Sequence, residues 1–585
     1  MPEATQPETS LPDPRPRISV GEAVAALLES HGVQAAFGVI SIHNLPMLDA
    51  IARRGRLRFV MARGEAGAAN MADAYARTAG ALGVCITSTG TGAGNAAGAL
   101  VEALTAGTPL LHLTGQIELP YLDRQMAYIH EAPDQLAMLK AVSKAAFRVR
   151  SAGTAVGTVK QAIQCALTAP SGPVSVEIPI DIQATLIPLP ADLAPLPVAV
   201  AVPSPAALDA LANALARARR PLLWLGGGAR QAGPAVQRLL SLGFGLVTST
   251  QGRGVVPEGH PRSLGAFNSP PPVEVFYQSC DAMLVVGSRL RGNETLKYQL
   301  KLPQPLLRVD ADPGADGRGY ANAQFVCGDA ALALAGLADR LEARVAQHGA
   351  LPIAAQFGAD LARTRDAAQA LMTDGLGPYA GLLQALQARV GERWQWVRDV
   401  TLSNSLWGNR APRLAGPRLG VHALGGGIGQ GLAMAIGAAV QAACRSPGVK
   451  TWCLAGDGGF ILNLGELASA VQERCDLTVL LMNDQAYGVI KNIQDAQYGG
   501  RKVFADLHTP DYAQLSAAIG IAHCRVQNQA ALDAALDQAA SAPASAGPRI
   551  IEVDMLAFGA FKTAFAGPPV KPGQALPALP ALPAA

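Results

Sequence analysis

Short apolar runs alternate with longer amphipathic stretches along most of the chain. The first amphipathic stretch, "VGEAVAALLESHG", opens behind Ser19, and Glu22 follows at capping-box spacing, which predicts a helix start. "AAFGVI" and "LRFVMAR" then read as strands, "EAGAANMADAYARTAG" as a helix and "GVCITST" as a strand. "GNAAGALVEALTAG" reads as a helix, "PLLHLTG" as a strand, and "GPVSVEIPID" closes the unit near residue 183. Strands alternating with helices predict a parallel sheet covered on both faces.

The same pattern recurs twice. "PLLWLGGGA", "GLVTST", "DAMLVVGS" and "PLLRVDADP" are the strand-like runs of a second unit, and "WQWVRDV", "TWCLAG", "LTVLLMN" and "RIIEVD" those of a third. The expected fold class is α/β, with three doubly wound parallel-sheet domains at 17–185, 205–345 and 375–566. Segments 186–204 and 346–374 are expected as linkers. Residues 1–16 and 567–585 are Pro-rich and aperiodic, and both are expected to be disordered tails. No short-period repeat interrupts this plan.

Composition agrees with that plan. The chain has 585 residues, too many for one core; half are apolar and 16% are charged, a globular balance. A net charge of +3, with no basic run longer than Arg-Arg, gives no footing for nucleic acid or an anionic membrane. The eight cysteines form no Cys-x-x-Cys pair and read as structural thiols of a reducing compartment. The N-terminal "MPEATQPETSLPDPRPR" has no apolar core of a signal peptide, and no apolar run reaches ~18 residues. A cytoplasmic protein is expected.

The candidate chemistry gathers where strands end. "TWCLAG" stops at Gly456, and Asp457 follows, flanked by Gly458 and Gly459. "LTVLLMN" stops just before Asp484, 27 residues on. In open parallel sheets, ligands bind at the carboxyl ends of strands, and a right-handed crossover commonly sets consecutive strands side by side. The two carboxylates then point at one spot, as oxygen ligands of a hard cation such as Mg²⁺ clamping a diphosphate. A solvated Gly-Asp-Gly turn followed by an Asn-Asp turn is the alternative. Glu65, after "LRFVMAR", reads either as a functional acid at a sheet mouth or as a helix N-terminal glutamate favoured by the helix dipole.

A Gly-Asp-Gly followed at this interval by an Asn-Asp pair resembles the signature of thiamine-diphosphate-dependent enzymes. The chain resembles the acetolactate synthase, pyruvate oxidase and benzoylformate decarboxylase group over about residues 18–566. "RGEAGAANMADAYARTAG", "STGTGAGN", "GPVSVEIPIDIQ", "GRGVVPEGHPRSLG", "RDVTLSNSLWG" and "GGGIGQGLAMAIGAA" carry the resemblance in order. It implies thiamine diphosphate and Mg²⁺ as cofactors, with Asp457, Asp484 and the Ala486 carbonyl on the metal. Asp484 stands where the family more often has Asn. The resemblance makes Glu65 the acid that promotes the imino tautomer of the aminopyrimidine. It makes Ile428, beside Gly425, Gly426 and Gly427, the support that folds the cofactor into a V. Asn95, Ser403, Asn404, Gly427, Gly456, Gly458, Gly459, Tyr487, Gly488 and Val489 are the further expected cofactor contacts.

Gln116 matches a glutamine near the reacting carbon in synthase-like relatives, and His130 lies where some decarboxylases carry proton-shuttling histidines. His43 is a further candidate to face substrate, whereas His112, inside an apolar strand, is expected to be a satisfied core residue. The family's reactions are many, and its fold does not choose among them. Asn293 stands where biosynthetic acetolactate synthases carry an arginine, Ile493 where they carry a tryptophan, and Ile490 where yeast-type pyruvate decarboxylases carry a glutamate. The expected function is therefore decarboxylation of a 2-oxo acid, with carboligation to an aldehyde as an extension. The alternatives are an acetolactate synthase proper, a C–C lyase that needs no decarboxylation, and a non-catalytic nucleotide-binding relic. The middle domain keeps "GSRLRGNET" and "VDADP" but lacks other markers of FAD-carrying relatives, so FAD is left open but not expected; "GGG" at 226–228 reads as a dinucleotide loop or a plain strand-to-helix turn. The resemblance also implies a homodimer or homotetramer with active sites between subunits.

Overall fold

The computed structural model describes residues 15–390 and 394–567. Of the expected tails, 1–14 and 568–585 lie outside the described residues. The chain forms two compact units, one made of residues up to 198 apart from 77–80, and one made of the rest.

The first unit holds a six-stranded parallel sheet of β1 (Ala35–Gly38), β2 (Arg58–Met61), β3 (Gly83–Thr87), β4 (Leu110–Gln116), β5 (Ala145–Arg148) and β6 (Pro173–Pro179). Their order across the sheet is β2-β1-β3-β4-β6-β5, and every pairing is parallel. Helix Val20–Ser30 begins as expected, with Ser19 Oγ accepting the Glu22 N–H at 3.1 Å. Its Val20, Val24 and Leu27 join Val84, Leu113 and Val176 of the sheet in one core. The expected linker 186–204 opens with a strand: Leu186–Pro188 pairs antiparallel with Arg17–Ser19 and returns the chain to its start.

The second unit holds two parallel sheets. One contains β7 (Pro221–Leu225), β8 (Gly245–Thr248), β9 (Ala282–Val286), β10 (Leu306–Asp310) and β11 (Gln324–Cys327), in the order β8-β7-β9-β10-β11. The other contains β12 (Trp394–Arg398), β13 (Gly420–His422), β14 (Lys450–Gly456), β15 (Leu477–Asn483), β16 (Ala522–Val526) and β17 (Arg549–Asp554), ordered β13-β12-β14-β15-β17-β16. Most of the expected linker 346–374 is helix Phe357–Leu376, whose Phe357, Leu361 and Ala368 pack into the core beneath β7 and β9. Its apolar face makes it part of a domain wall. Among the described residues no helix is long and apolar enough to cross a membrane.

Three strands absent from the sequence reading, β5, β11 and β16, and the short β13 all lie at sheet edges. β5, for example, is nowhere fully buried, whereas the neighbouring β6 is buried throughout. In the third sheet, the order places the switch in direction between β12 and β14, so a crevice opens at their carboxyl ends. Beneath it Trp394, Trp396 and Trp407 pack together, with ring centroids 5.3 and 5.8 Å from Trp396 to the other two. The buried Trp396 indole donates to the Gly408 carbonyl at 3.0 Å. Trp396→Ala removes both the packing and that bond, so a loss of about 3–5 kcal/mol is expected in denaturant unfolding; a shift under 1 kcal/mol would show that the cluster does not carry the domain.

Candidate active site

In the second unit, β14 and β15 are adjacent and parallel, with Gly456 in register with Met482. Their tips therefore carry Asp457 and Asp484 side by side. Asp457 opens a single helical turn, Asp457–Phe460, rather than a loop, and the crossover helix is confined to Glu466–Gln472. Burial raises the pKa of both carboxyls, and the charge of Asp484 raises that of Asp457 further. Asp457 is 1% exposed, and its Oδ2 has no hydrogen-bond partner among the described residues. A buried acid with an orphaned oxygen, in contact with a half-buried one, calls for a proton or a cation between them. A hard divalent ion with oxygen ligands fits this donor set.

The turn after β15 shapes the rest of that pocket. Gln485 stands at φ 53°, and the Ala486 N–H donates to the Asp484 carboxylate. Ala486 bridges to Asp506, with hydrogen bonds from Tyr487 N–H to the Ala505 carbonyl (2.8 Å) and from Leu507 N–H to the Gln485 carbonyl (2.9 Å). The bridge thus does not use the Ala486 carbonyl, which can face a metal. A Cβ at position 488 would collide with Asp484 Oδ2, so only glycine lets the next helix, Gly488–Gln497 with Val489 in its first turn, start so close.

Two acids that the sequence reading passed over hold these pieces. Glu552 on β17 is 2% exposed; it accepts from Asn483 Nδ2 at 2.8 Å and pairs with His523 Nε2 at 2.9 Å. Asn483 Oδ1 in turn accepts the Gln485 N–H at 3.2 Å, which fixes the metal-side turn. Asp399, just past β12, is 1% exposed and accepts the N–H of Val400 at 2.8 Å and of Gly429 at 3.0 Å, with Gln430 and Gly431 N–H adding to them. Burial pushes its pKa up to about 7 against the pull of those N–H groups. A Cβ on Gly459 would stand 2.7 Å from Asp399 Oδ2, so the same carboxylate touches the Gly456–Gly458–Gly459 turn as well as the loop of Gly427 and Ile428. An acid directly past an apolar strand was the signal that identified Asp457, and it marks Asp399 equally.

Ile428 stands 39% exposed, an apolar side chain left facing outward beside the three glycines. Ser403 and Asn404 are buried at the start of a π-helical turn, Asn404–Gly408, a backbone form frequent at functional sites. Ser403 Oγ and Asn404 Oδ1 lack partners among the described residues. The serine hydroxyl can donate to an anion, whereas the orphaned atom of Asn404 is an acceptor, its Nδ2 being turned to the His422 ring at 3.3 Å.

The first unit gathers a second set of groups at its strand ends. Glu65 opens helix Glu65–Ala79, half-buried, and its Oε2 accepts from Asn95 Nδ2 at 3.1 Å. Asn95 is thereby brought to the acid. Gln116 is 1% exposed and turns its amide inward: Oε1 accepts from Thr89 Oγ1 and Ile117 N, both at 2.8 Å, and Nε2 lies 3.4 Å from Glu177 Oε1. Sequence matching could not reveal that this amide is already engaged by the protein. The His130 and His43 rings meet edge-on at 5.0 Å. Burial and the charge of His130 lower the His43 pKa, and Glu118 raises it less; its Nδ1 has no partner among the described residues. His112 is a core residue as expected, bonded to Thr87 Oγ1 at 2.9 Å and Ser175 Oγ at 3.0 Å. The glycines 226–228 are taken up by the chain itself: Gly228 N–H donates to the Gly287 carbonyl at 3.0 Å, and a Cβ on Gly228 would lie 2.9 Å from Gly287 Cα.

Comparison with known proteins yields three family matches along the chain. Residues 18–138 match the thiamine pyrophosphate enzyme N-terminal TPP binding domain, 208–337 the central domain and 403–553 the C-terminal TPP binding domain. A probable 2-ketoarginine decarboxylase of Pseudomonas aeruginosa is 33% identical over 89% of this chain and 91% of its own. The large subunit of acetolactate synthase isozyme 1 of Escherichia coli is 29% identical, over 92% and 94%. A chloroplastic acetolactate synthase 2 of Zea mays is 26% identical, over 90% and 84%.

The raised carboxyls set a pH dependence. In metal-free protein the folded state binds protons more tightly than the unfolded chain, so the pair's contribution to stability falls as pH rises above the ordinary carboxylate range. Mg²⁺ competes with those protons, so calorimetry is expected to show its affinity rising with pH until both acids are ionised; a flat profile would contradict the pairing. Glu552→Gln removes one acceptor from the Asn483–His523 pair and is expected to weaken Mg²⁺ binding about tenfold without unfolding the protein. Unchanged affinity would mean that the turn holds itself.

Proposed function

The chain belongs to the thiamine pyrophosphate enzyme family, and from that premise we propose a thiamine-diphosphate- and Mg²⁺-dependent enzyme that decarboxylates a 2-oxo acid. Carboligation of the product to an aldehyde is open to the same machinery. The observation that carries the reading is the pair at adjacent strand tips, a buried Asp457 with an oxygen unsatisfied beside a half-buried Asp484. The 2-oxo acid is supported by the relatives, a probable 2-ketoarginine decarboxylase and acetolactate synthases.

In this reading Asp457, Asp484 and the Ala486 carbonyl hold Mg²⁺. Ser403, Gly456, Gly458, Gly459 and the Tyr487–Val489 segment hold the diphosphate, Asn404 joining them only with its amide turned so that Nδ2 rather than Oδ1 faces it, and the bare glycines admit close approach of its oxygens. Gly427 lets the chain pass near the rings, which the outward-facing Ile428 supports. When bound, thiamine diphosphate supplies a nucleophilic thiazolium carbon and an electron sink for the electrons released with CO₂. Glu65 holds a proton at the aminopyrimidine nitrogen, and Asn95, donating to Glu65 Oε2, keeps the other carboxyl oxygen free for that contact. His43, kept neutral by burial, and His130 exchange a proton at the product carbon. Gln116 shapes the wall through its backbone neighbours, its amide being held inside.

Asn293 in place of an arginine removes a bidentate carboxylate clamp, which favours release or aldehyde capture over addition to a second 2-oxo acid. No step of the reading uses FAD. It calls for a homodimer or homotetramer in which neighbouring subunits complete each other's sites. A cytoplasmic location goes with it, supported by cysteines that are all free thiols.

Native mass spectrometry of the purified protein is expected to find thiamine diphosphate, and a CO₂-release screen over 2-oxo acids to find turnover. Cofactor bound without turnover on any member of the panel would favour a non-catalytic relic. Glu65→Gln is expected to keep the cofactor and lose about 100-fold or more in turnover. Wild-type rates in that variant would remove Glu65 from the mechanism.

A further inference from the structure

The loop that carries His130 runs from Gln116, at the end of β4, to Gln135, the first residue of helix Gln135–Val142. Its backbone is unfavourable. Asp123, Gln125, Ala127 and His130 stand at φ 63°, 54°, 54° and 67°, and none of them is glycine. Side chains disfavour this region, and such a conformation persists only where its surroundings over-determine it.

Local contacts supply part of that constraint. The Glu131 carboxylate accepts the N–H groups of Gln125 and Tyr128, both at 3.0 Å, and Tyr121 stacks on Tyr128 at 4.8 Å. The His130 carbonyl rests against Gly90 (φ 59°), where a Cβ would not fit.

The remaining constraint comes from inside the sheet. Glu177 on β6 is wholly buried and lies in register with Arg148 on the edge strand β5. Arg148 Nε meets Glu177 Oε2 at 2.6 Å, with the two side chains 6% and 0% exposed. The same guanidinium reaches outward through Nη1 to both oxygens of Asp123, at 2.8 and 2.9 Å. Glu177 Oε1 accepts from Gln135 Nε2 at 2.8 Å and from Gln116 Nε2 at 3.4 Å. Gln135 Oε1 then accepts from the Gly90 N–H at 2.6 Å and lies 2.9 Å from Thr89 Oγ1, whose single proton it shares with Gln116 Oε1. One buried carboxylate thus touches the residue before the loop and the residue after it, and through Arg148 a residue within it.

We propose that Glu177 and Arg148 are positioning residues, a buried ion pair that clamps the Gln116–Gln135 loop in its strained backbone and so fixes His130 against His43. A buried ion pair is a poor source of stability compared with apolar packing of the same volume, so its use here asks for another reason. The planar fork of arginine supplies one: it binds an interior and an exterior carboxylate at once in fixed directions, which lysine or an apolar pair cannot do. The effect on turnover rests on the reading of His130 given above; the clamp itself does not.

The test uses the full-length, cofactor-loaded protein and compares Asp123→Ala, Asp123→Glu and Glu177→Gln. The Asp123 side chain is 50% exposed, so removing it opens the outer link without leaving a buried hole. In Asp123→Ala, hydrogen exchange followed by mass spectrometry is expected to rise at least tenfold across 121–131, with helix Glu65–Ala79 unchanged. The turnover number should fall about tenfold at near-constant KM, and Asp123→Glu should restore most of both. Glu177→Gln should act in the same direction and more strongly; should it fail to fold, Asp123→Ala decides alone. Faster exchange with unaltered turnover would uphold the clamp and remove His130 from the chemistry. Unaltered exchange in Asp123→Ala would overturn the clamp.

Discussion

Two carboxylates in contact, one of them buried, repel each other, and the third sheet is arranged to force that contact. Parallel register brings Gly456 level with Met482, so Asp457 and Asp484 emerge together, the first buried and the second partly exposed. Among the described residues Lys491 and the Ala486 N–H offset part of this on Asp484, while both pKa values stay raised and the Asp457 Oδ2 stays without a partner. A divalent cation held there, as proposed above, would remove the repulsion and satisfy the oxygen together.

The pair must be held in place, and the holding is done one layer further in. Glu552 steadies Asn483 and through it the turn of Gln485 and Ala486. Asp399 gathers the N–H groups around Gly429 and presses on Gly459, so the Ile428 loop and the Asp457 turn share one anchor. Each anchor is a buried acid whose lone pairs are met by hydrogen-bond donors, the condition under which burial of a charge is tolerated. The first unit repeats the device with Glu177, which draws Gln116, Gln135 and Arg148 to a single carboxylate.

The central strands and the strand-tip acids were legible in the sequence because both are local signals. A run such as "LTVLLMN" must lie between two layers, and a polar residue directly after it must stand at the layer's rim. The edge strands β5, β11, β13 and β16 were not legible, since each is short and part-exposed and carries a weak apolar pattern, whereas the edge strand β8 is buried throughout and was. The helix Phe357–Leu376 was hidden for a related reason: its small, mixed residues look like a connector until Phe357 and Leu361 are seen in the core.

The sequence alone thus determined the α/β class, the three sheets and the family, because periodicity and glycine-flanked acids survive in one dimension. Tertiary structure alone decided which acids act as anchors, that the Gln116 amide is engaged inside the protein, and that His43 meets His130. Those facts depend on residues far apart in the chain: Glu552 lies 69 positions from Asn483, and Glu177 lies 61 from Gln116. No local pattern encodes such a meeting; it exists only once strand order and register have been set.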